Sequence, residues 1–85
     1  MTYDVVWGPR AEEMLAKIWL ASEDRIAVTA ASAWLDAKLS RAPLALGRPR
    51  DSSVRRTAYR QPLGIEFEVV EDDKRVIVQG VFDLG

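Results

Sequence analysis

Beyond Ala42-Pro43 the apolar period of this chain drops from helical spacing to strict alternation, and the change points to an α+β fold. Before that point Tyr3, Val5 and Trp7 alternate with Thr2 and Asp4 as a short strand that Gly8-Pro9 ends. Helical spacing follows, with Ala11, Leu15, Ile18 and Ser22 on one face of a first helix and Val28, Ala31, Leu35 and Leu39 on one face of a second. Pro9 suits the first helical position behind a Gly8 cap, and Asp24 is the expected N-cap of the second helix. The link between the helices is short, so they form an antiparallel hairpin. Alanines at 27, 30, 31, 33 and 37 let the second helix lie close to whatever it packs on.

Beyond the change, Leu44 to Ser53 reads as a loop containing Gly47 and Pro49. Val54 to Arg60, Ile65 to Glu71 and Lys74 to Asp83 then alternate with period two, and their short links make an antiparallel meander. The predicted order is β-α-α-β-β-β, a helical hairpin packed on a mostly antiparallel four-stranded sheet. At 85 residues this is a single domain spanning 1-85. Setting Arg60 opposite Ile65 and Glu71 opposite Lys74 puts Ala58, Phe67, Val69, Val76 and Val78 on the helix side. The open face then carries Arg55, Thr57, Tyr59, Glu66, Glu68, Arg75, Ile77, Gln79 and Asp83.

Composition removes several kinds of chemistry. The chain has no cysteine and no histidine, so it lacks disulfides, thiolate metal sites, the commonest metal ligand and the commonest base near neutral pH. No metal and no cofactor are expected. The most apolar stretch, Ile26 to Leu35, is interrupted by Thr29 and Ser32 and is shorter than the roughly 20 residues a membrane helix requires. The amino end has neither a basic region nor an apolar run, so a cytoplasmic protein is expected.

Charge is distributed unevenly behind a net value of −1. Arg41 to Arg60 holds six arginines against Asp51 alone, a formal plus 5, while the segments on either side are acidic. Guanidinium groups match phosphate and carboxylate oxygens in pairs, so an anionic target is expected near Arg48, Arg50, Arg55 and Arg56. Pro49 separates Arg48 from Arg50 and restricts the backbone between them.

The sequence also resembles the RelE/ParE toxin superfamily over nearly its whole length. Tyr3-Asp4-Val5-Val6-Trp7 before Ala11-Glu12 looks like the family's first strand and helix start. Ile18-Trp19-Leu20-Ala21 with Asp24-Arg25 and Ala27-Val28-Thr29 is similar to the helix junction of one branch. Pro43, Gly47, Ser53 with Arg55 and Arg56, and Pro62-Leu63 leading into Phe67-Glu68-Val69 match the stretch where members carry their basic residues. The resemblance implies the toxin of a bacterial toxin–antitoxin pair, of the plasmid-stabilisation type, held inactive by a small antitoxin protein. It implies one of two activities, cleavage of messenger RNA on the ribosome or inhibition of DNA gyrase.

Metal-free RNA cleavage needs a base, an acid and cations around the phosphorane. Glu66 or Glu68 as base, Tyr59 as hydroxyl donor and Arg55 with Arg56 as phosphate clamps are the candidates. The same residues can instead pair across the sheet, each pair worth roughly 0.2 to 1 kcal/mol. RNA-cleaving relatives usually carry an arginine or histidine and a tyrosine near the carboxyl end, where this chain has Val81, Phe82, Asp83, Leu84 and Gly85. A toxin acting on translation or gyrase is therefore expected ahead of an active ribosome-dependent endoribonuclease, and a solitary non-toxic protein-binding domain is the third reading. Trp19 and Trp34 have neighbours suited to a core. Trp34 lies about 60° from the buried stripe and is also a candidate for receiving a partner helix, as are Val70 and Ile77 on the open sheet face.

Overall fold

The computed structural model describes residues 2–49 and 55–85, with the side chains of residues 48 and 49 outside the description. Strand β1 (Asp4–Trp7) leads into helix α1 (Pro9–Ala21), which begins as expected with Gly8 as N-cap and Pro9 in its first turn. Gly8 also donates its amide to Val78 O at 2.9 Å, which ties the start of α1 to the sheet. Helix α2 (Arg25–Arg41) opens on Asp24, whose carboxylate accepts from the Ala27 amide at 3.0 Å. Losing that cap in Asp24→Ala is expected to cost about 1 kcal/mol, read as a lower urea midpoint at unchanged slope. Arg25 closes the hairpin from the other side: its Nε and Nη2 donate to the carbonyls of Trp19 and Leu20 at 3.2 and 3.0 Å, satisfying the exposed end of α1.

The remaining strands are β2 (Arg48–Pro49), β3 (Arg55–Arg60), β4 (Leu63–Val70) and β5 (Arg75–Asp83). They form one sheet in the order β1-β5-β4-β3-β2, with β1 parallel to β5 and the other pairs antiparallel. The four expected strands are present. The segment expected as a loop differs in that Pro43–Ala45 forms a 3-10 turn and Arg48–Pro49 pairs with Thr57 and Arg56. Gly47 permits this. Its φ is +72°, and a Cβ there would lie 2.2 Å from Thr57 O, so the chain turns against β3 only without a side chain. The expected strand start at Val54 falls outside the described residues.

The register between β4 and β5 is the expected one at the turn, with Val70 opposite Arg75. Between β3 and β4 it is displaced by two residues, Arg60 facing Leu63 and Ala58 facing Ile65, because a tight turn at Gln61-Pro62 replaces the longer link. A displacement of two preserves the faces. Ala58, Phe67, Val76 and Val78 are accordingly buried beneath Val28, Ala31, Leu35 and Leu39 of α2 and Ala11 of α1, with Val69 half-buried beside them.

One expectation fails at the end of β5. Glu66 faces Gly80 whereas Phe67 faces Val78, so Gln79 is an extra residue and forms a β-bulge. Past it the alternation inverts: Val81 is buried, Asp83 lies opposite the core residue Leu63, and Phe82 takes the open face. Asp83 is therefore not on the open face where strict alternation placed it. At the other end of the sheet Tyr3 donates to the Glu71 carboxylate, which also accepts from Lys74 Nζ at 3.0 Å. Those two bonds hold the Glu71 carboxyl below its ordinary pKa, the Tyr3 hydroxyl being the larger cause.

Candidate functional site

The open sheet face brings together part of the predicted site. Arg55 lies directly opposite Glu68, yet its guanidinium reaches the diagonal Glu66, with Nη1 3.7 Å from Oε1. Glu68 instead accepts from Gln79 Nε2 at 3.4 Å. Tyr59 is 60% exposed and faces Gly64, across which Phe82 lies. A Cβ at residue 64 would come within 2.2 Å of the Phe82 ring, so the missing side chain is what seats it. Tyr59 meets Phe82 edge to face, with centroids 6.0 Å apart. The face thus holds an exposed phenol and a carboxylate already paired with its arginine. Arg55 and Arg75 balance Glu66 and Glu68, and Asp4 stands opposite Arg75 at the edge of the same face.

Arg56 points the other way. Its guanidinium donates to the carbonyls of Leu46, Leu44 and Gly47 at 3.2, 3.1 and 3.2 Å, bracing the turn before β2. It is separated from Arg55 by the thickness of the sheet, and the two do not form one phosphate clamp. The backbone of Arg48 lies in β2, its side chain is not described, and Arg50 falls outside the described residues. Val70 and Ile77 share the open face, half-buried. Trp34 is on the helix side, so the three candidate partner contacts do not form one surface. Its ring lies beneath the Arg60 guanidinium at 4.4 Å and Lys38 Nζ at 5.5 Å.

An apolar surface on the helical hairpin was not among the predicted sites. Trp19, expected in the core, is 38% exposed, its indole bonded to Thr29 Oγ1 at 3.2 Å and its ring covered by Arg25 at 4.6 Å. Beside it Leu20 is 62% and Ile26 84% exposed. Between the helices runs a groove of about 510 Å³ lined by Leu15, Ala16, Trp19, Leu20 and Val28, and a second hollow of about 360 Å³ extends it past Ile26 to Ala30 and Ala33. The signal for it was available: Leu20 and Ile26 are apolar yet lie off the stripes that face the sheet. A connected apolar patch of this kind marks an interaction surface. Among the described residues no cluster of metal-ligating side chains occurs, and no helix is long and apolar enough to cross a membrane.

This chain's strand, helical hairpin and meander, with the last strand parallel to the first, make a fold that it shares with chains of solved toxin–antitoxin structures. Similar solved structures include a chain of the RelBE2 toxin–antitoxin complex from Mycobacterium tuberculosis and one of the chromosomal ParDE toxin–antitoxin system from P. aeruginosa. The first superposes with a TM-score of 0.80 at 22% identity, covering 98% of this chain and 99% of that one. The second gives 0.74 at 18% identity, with 98% and 97% covered. No family model matches the sequence, and no curated protein does either.

Proposed function

We propose that this chain is the toxin of a bacterial toxin–antitoxin pair, acting in the cytoplasm on translation or DNA gyrase and neutralised by a small antitoxin. The observation that carries the reading is the uncovered groove of the helical hairpin, where Trp19, Leu20 and Ile26 present apolar surface on a fold whose similar structures are toxin–antitoxin systems. A groove between two antiparallel helices fits the apolar face of a third helix. The charge balance of the open face supports a target reached without RNA cleavage, because RNA affinity depends on neutralising phosphates and Arg55 and Arg75 there are offset by Glu66, Glu68 and Asp4.

A second reading, a ribosome-dependent endoribonuclease, is favoured by one arrangement: Arg55 bound to Glu66 with the exposed Tyr59 on the same strand face. There Glu66 or Glu68 would take the 2′-hydroxyl proton, Tyr59 would protonate the leaving oxygen and Arg55 would steady the phosphorane. Induced expression separates the two. The proposed function predicts growth arrest with intact messages, equal in the wild type and in Arg55→Ala. Message ends mapping within codons on translating ribosomes, and lost in Arg55→Ala, would establish the nuclease instead. A folded product without any effect on growth would leave a protein-binding domain and refute both toxin readings.

A further inference from the structure

Trp34, Lys38 and Arg41 follow one another down a flank of α2, about 60 to 120° around the helix from Ile26. Arg60 reaches the same place from β3, its guanidinium over the Trp34 ring that Lys38 Nζ also approaches. Three cations therefore gather at one end of the domain. Among the described residues none has a carboxylate within ion-pair distance, since the ion pairs there join Lys17 to Glu13, Arg55 to Glu66 and Lys74 to Glu71. The one acidic residue in this part of α2, Asp36, is turned to the Trp7 indole, which donates to it at 2.8 Å. Favourable interaction with the helix dipole accounts for Lys38 and Arg41 in the last turn of α2. It does not account for Arg60, which comes from another element and whose charge the other two repel.

The flank adjoins the apolar groove. Between Ile26 and Lys38, α2 presents the exposed alanines Ala30, Ala33 and Ala37, so nothing bulky separates the apolar hollow from the cations. A segment lying in the groove and continuing along α2 passes directly beside Lys38, Arg60 and Arg41. The counter-charge absent among the described residues is best supplied by that segment. Nucleic acid fits the surface less well: three cations fall short of the roughly six to ten phosphate contacts of a typical binder, and it has no use for the adjoining apolar hollow.

We propose that the Trp34 flank is an acidic-peptide site, taking a run of Asp or Glu side chains at one end of the helical partner segment whose apolar face occupies the hairpin groove. The proposal rests on the groove being a partner site, and adds that the partner carries negative charge at the α2 carboxyl end. The test uses the full chain, labelled with nitrogen-15 and titrated at low salt with hexaglutamate and, separately, with hexauridylate. Hexaglutamate is expected to shift the Trp34 indole and Arg60 Nε signals. Lys38→Gln and Arg60→Gln are each expected to weaken that binding by roughly two- to fivefold, the worth of an exposed ion pair.

Unmoved Trp34 and Arg60 signals with hexaglutamate would overturn the proposal. So would stronger shifts with hexauridylate, which would make the flank a nucleic-acid contact. The parent reading has its own readout, in capture of the protein encoded beside this gene. If Leu20→Asp leaves that capture intact, the groove reading fails even where the hexaglutamate shifts stand.

Discussion

Replacing Phe67 by alanine is expected to cost about 3 to 5 kcal/mol. Phe67 is the largest fully buried side chain, at the centre of β4 between the sheet neighbours Ile65, Val76 and Val78 and the α2 residues Leu35 and Leu39. Removing the ring forfeits its transfer free energy and leaves a cavity that strands on both sides and a helix above keep from collapsing. At roughly 0.05 to 0.15 kcal/mol per residue, a chain of this size has about 4 to 13 kcal/mol of stability in all, so the variant sits near or below its folding threshold. Urea unfolding followed by tryptophan fluorescence measures it. Phe67→Leu keeps most of the volume and should lose far less; equal losses in the two variants would contradict a rigid core at this position.

Leu20→Asp is expected to act in the opposite manner, leaving stability nearly untouched and weakening binding of the proposed antitoxin about thirtyfold or more. Leu20 is mostly exposed, and substitutions at such positions usually change stability by no more than about 0.5 kcal/mol. Leu20 lines the groove wall beside Trp19, where the proposed partner helix would lie. A carboxylate there must be desolvated without a partner, a penalty of hot-spot size, 2 kcal/mol or more, which is about thirtyfold in affinity. Calorimetric titration with the antitoxin, beside a urea curve of the variant alone, gives both numbers. Undiminished affinity would remove the groove from the interface; lost stability would show that Leu20 serves the fold.

How much of this was legible can be followed along particular residues. Val28, Ala31, Leu35 and Leu39 recur at helical spacing because one face of α2 is buried and the other is not, and that asymmetry is written in the chain. The faces of the meander were equally legible, since a two-residue error in the β3–β4 register changes partners and not sides. The bulge at Gln79 broke strict alternation, and its trace is the apolar spacing Val76, Val78, Val81 with Gly80 inside. Arg56 shows a limit of another kind. Its side follows from period two, but its three acceptors are backbone carbonyls of the turn before β2, and no pattern of side chains announces carbonyls. At the candidate site, Arg55, Tyr59, Glu66 and Glu68 do share a face, while the pairing that occupies Glu66 depends on which diagonal a long side chain follows.

The parallel pairing of β1 with β5 joins the first strand made to the last. During synthesis Val5 and Val6 must wait for Val76 and Ile77 to leave the ribosome exit tunnel, and α1, which lies over β5, waits with them. A chain stalled or cut before Arg75 has no place to put its amino-terminal strand. The sheet is thus completed only once β5 has emerged, so both helices are synthesised well before the strand that closes the fold against β1.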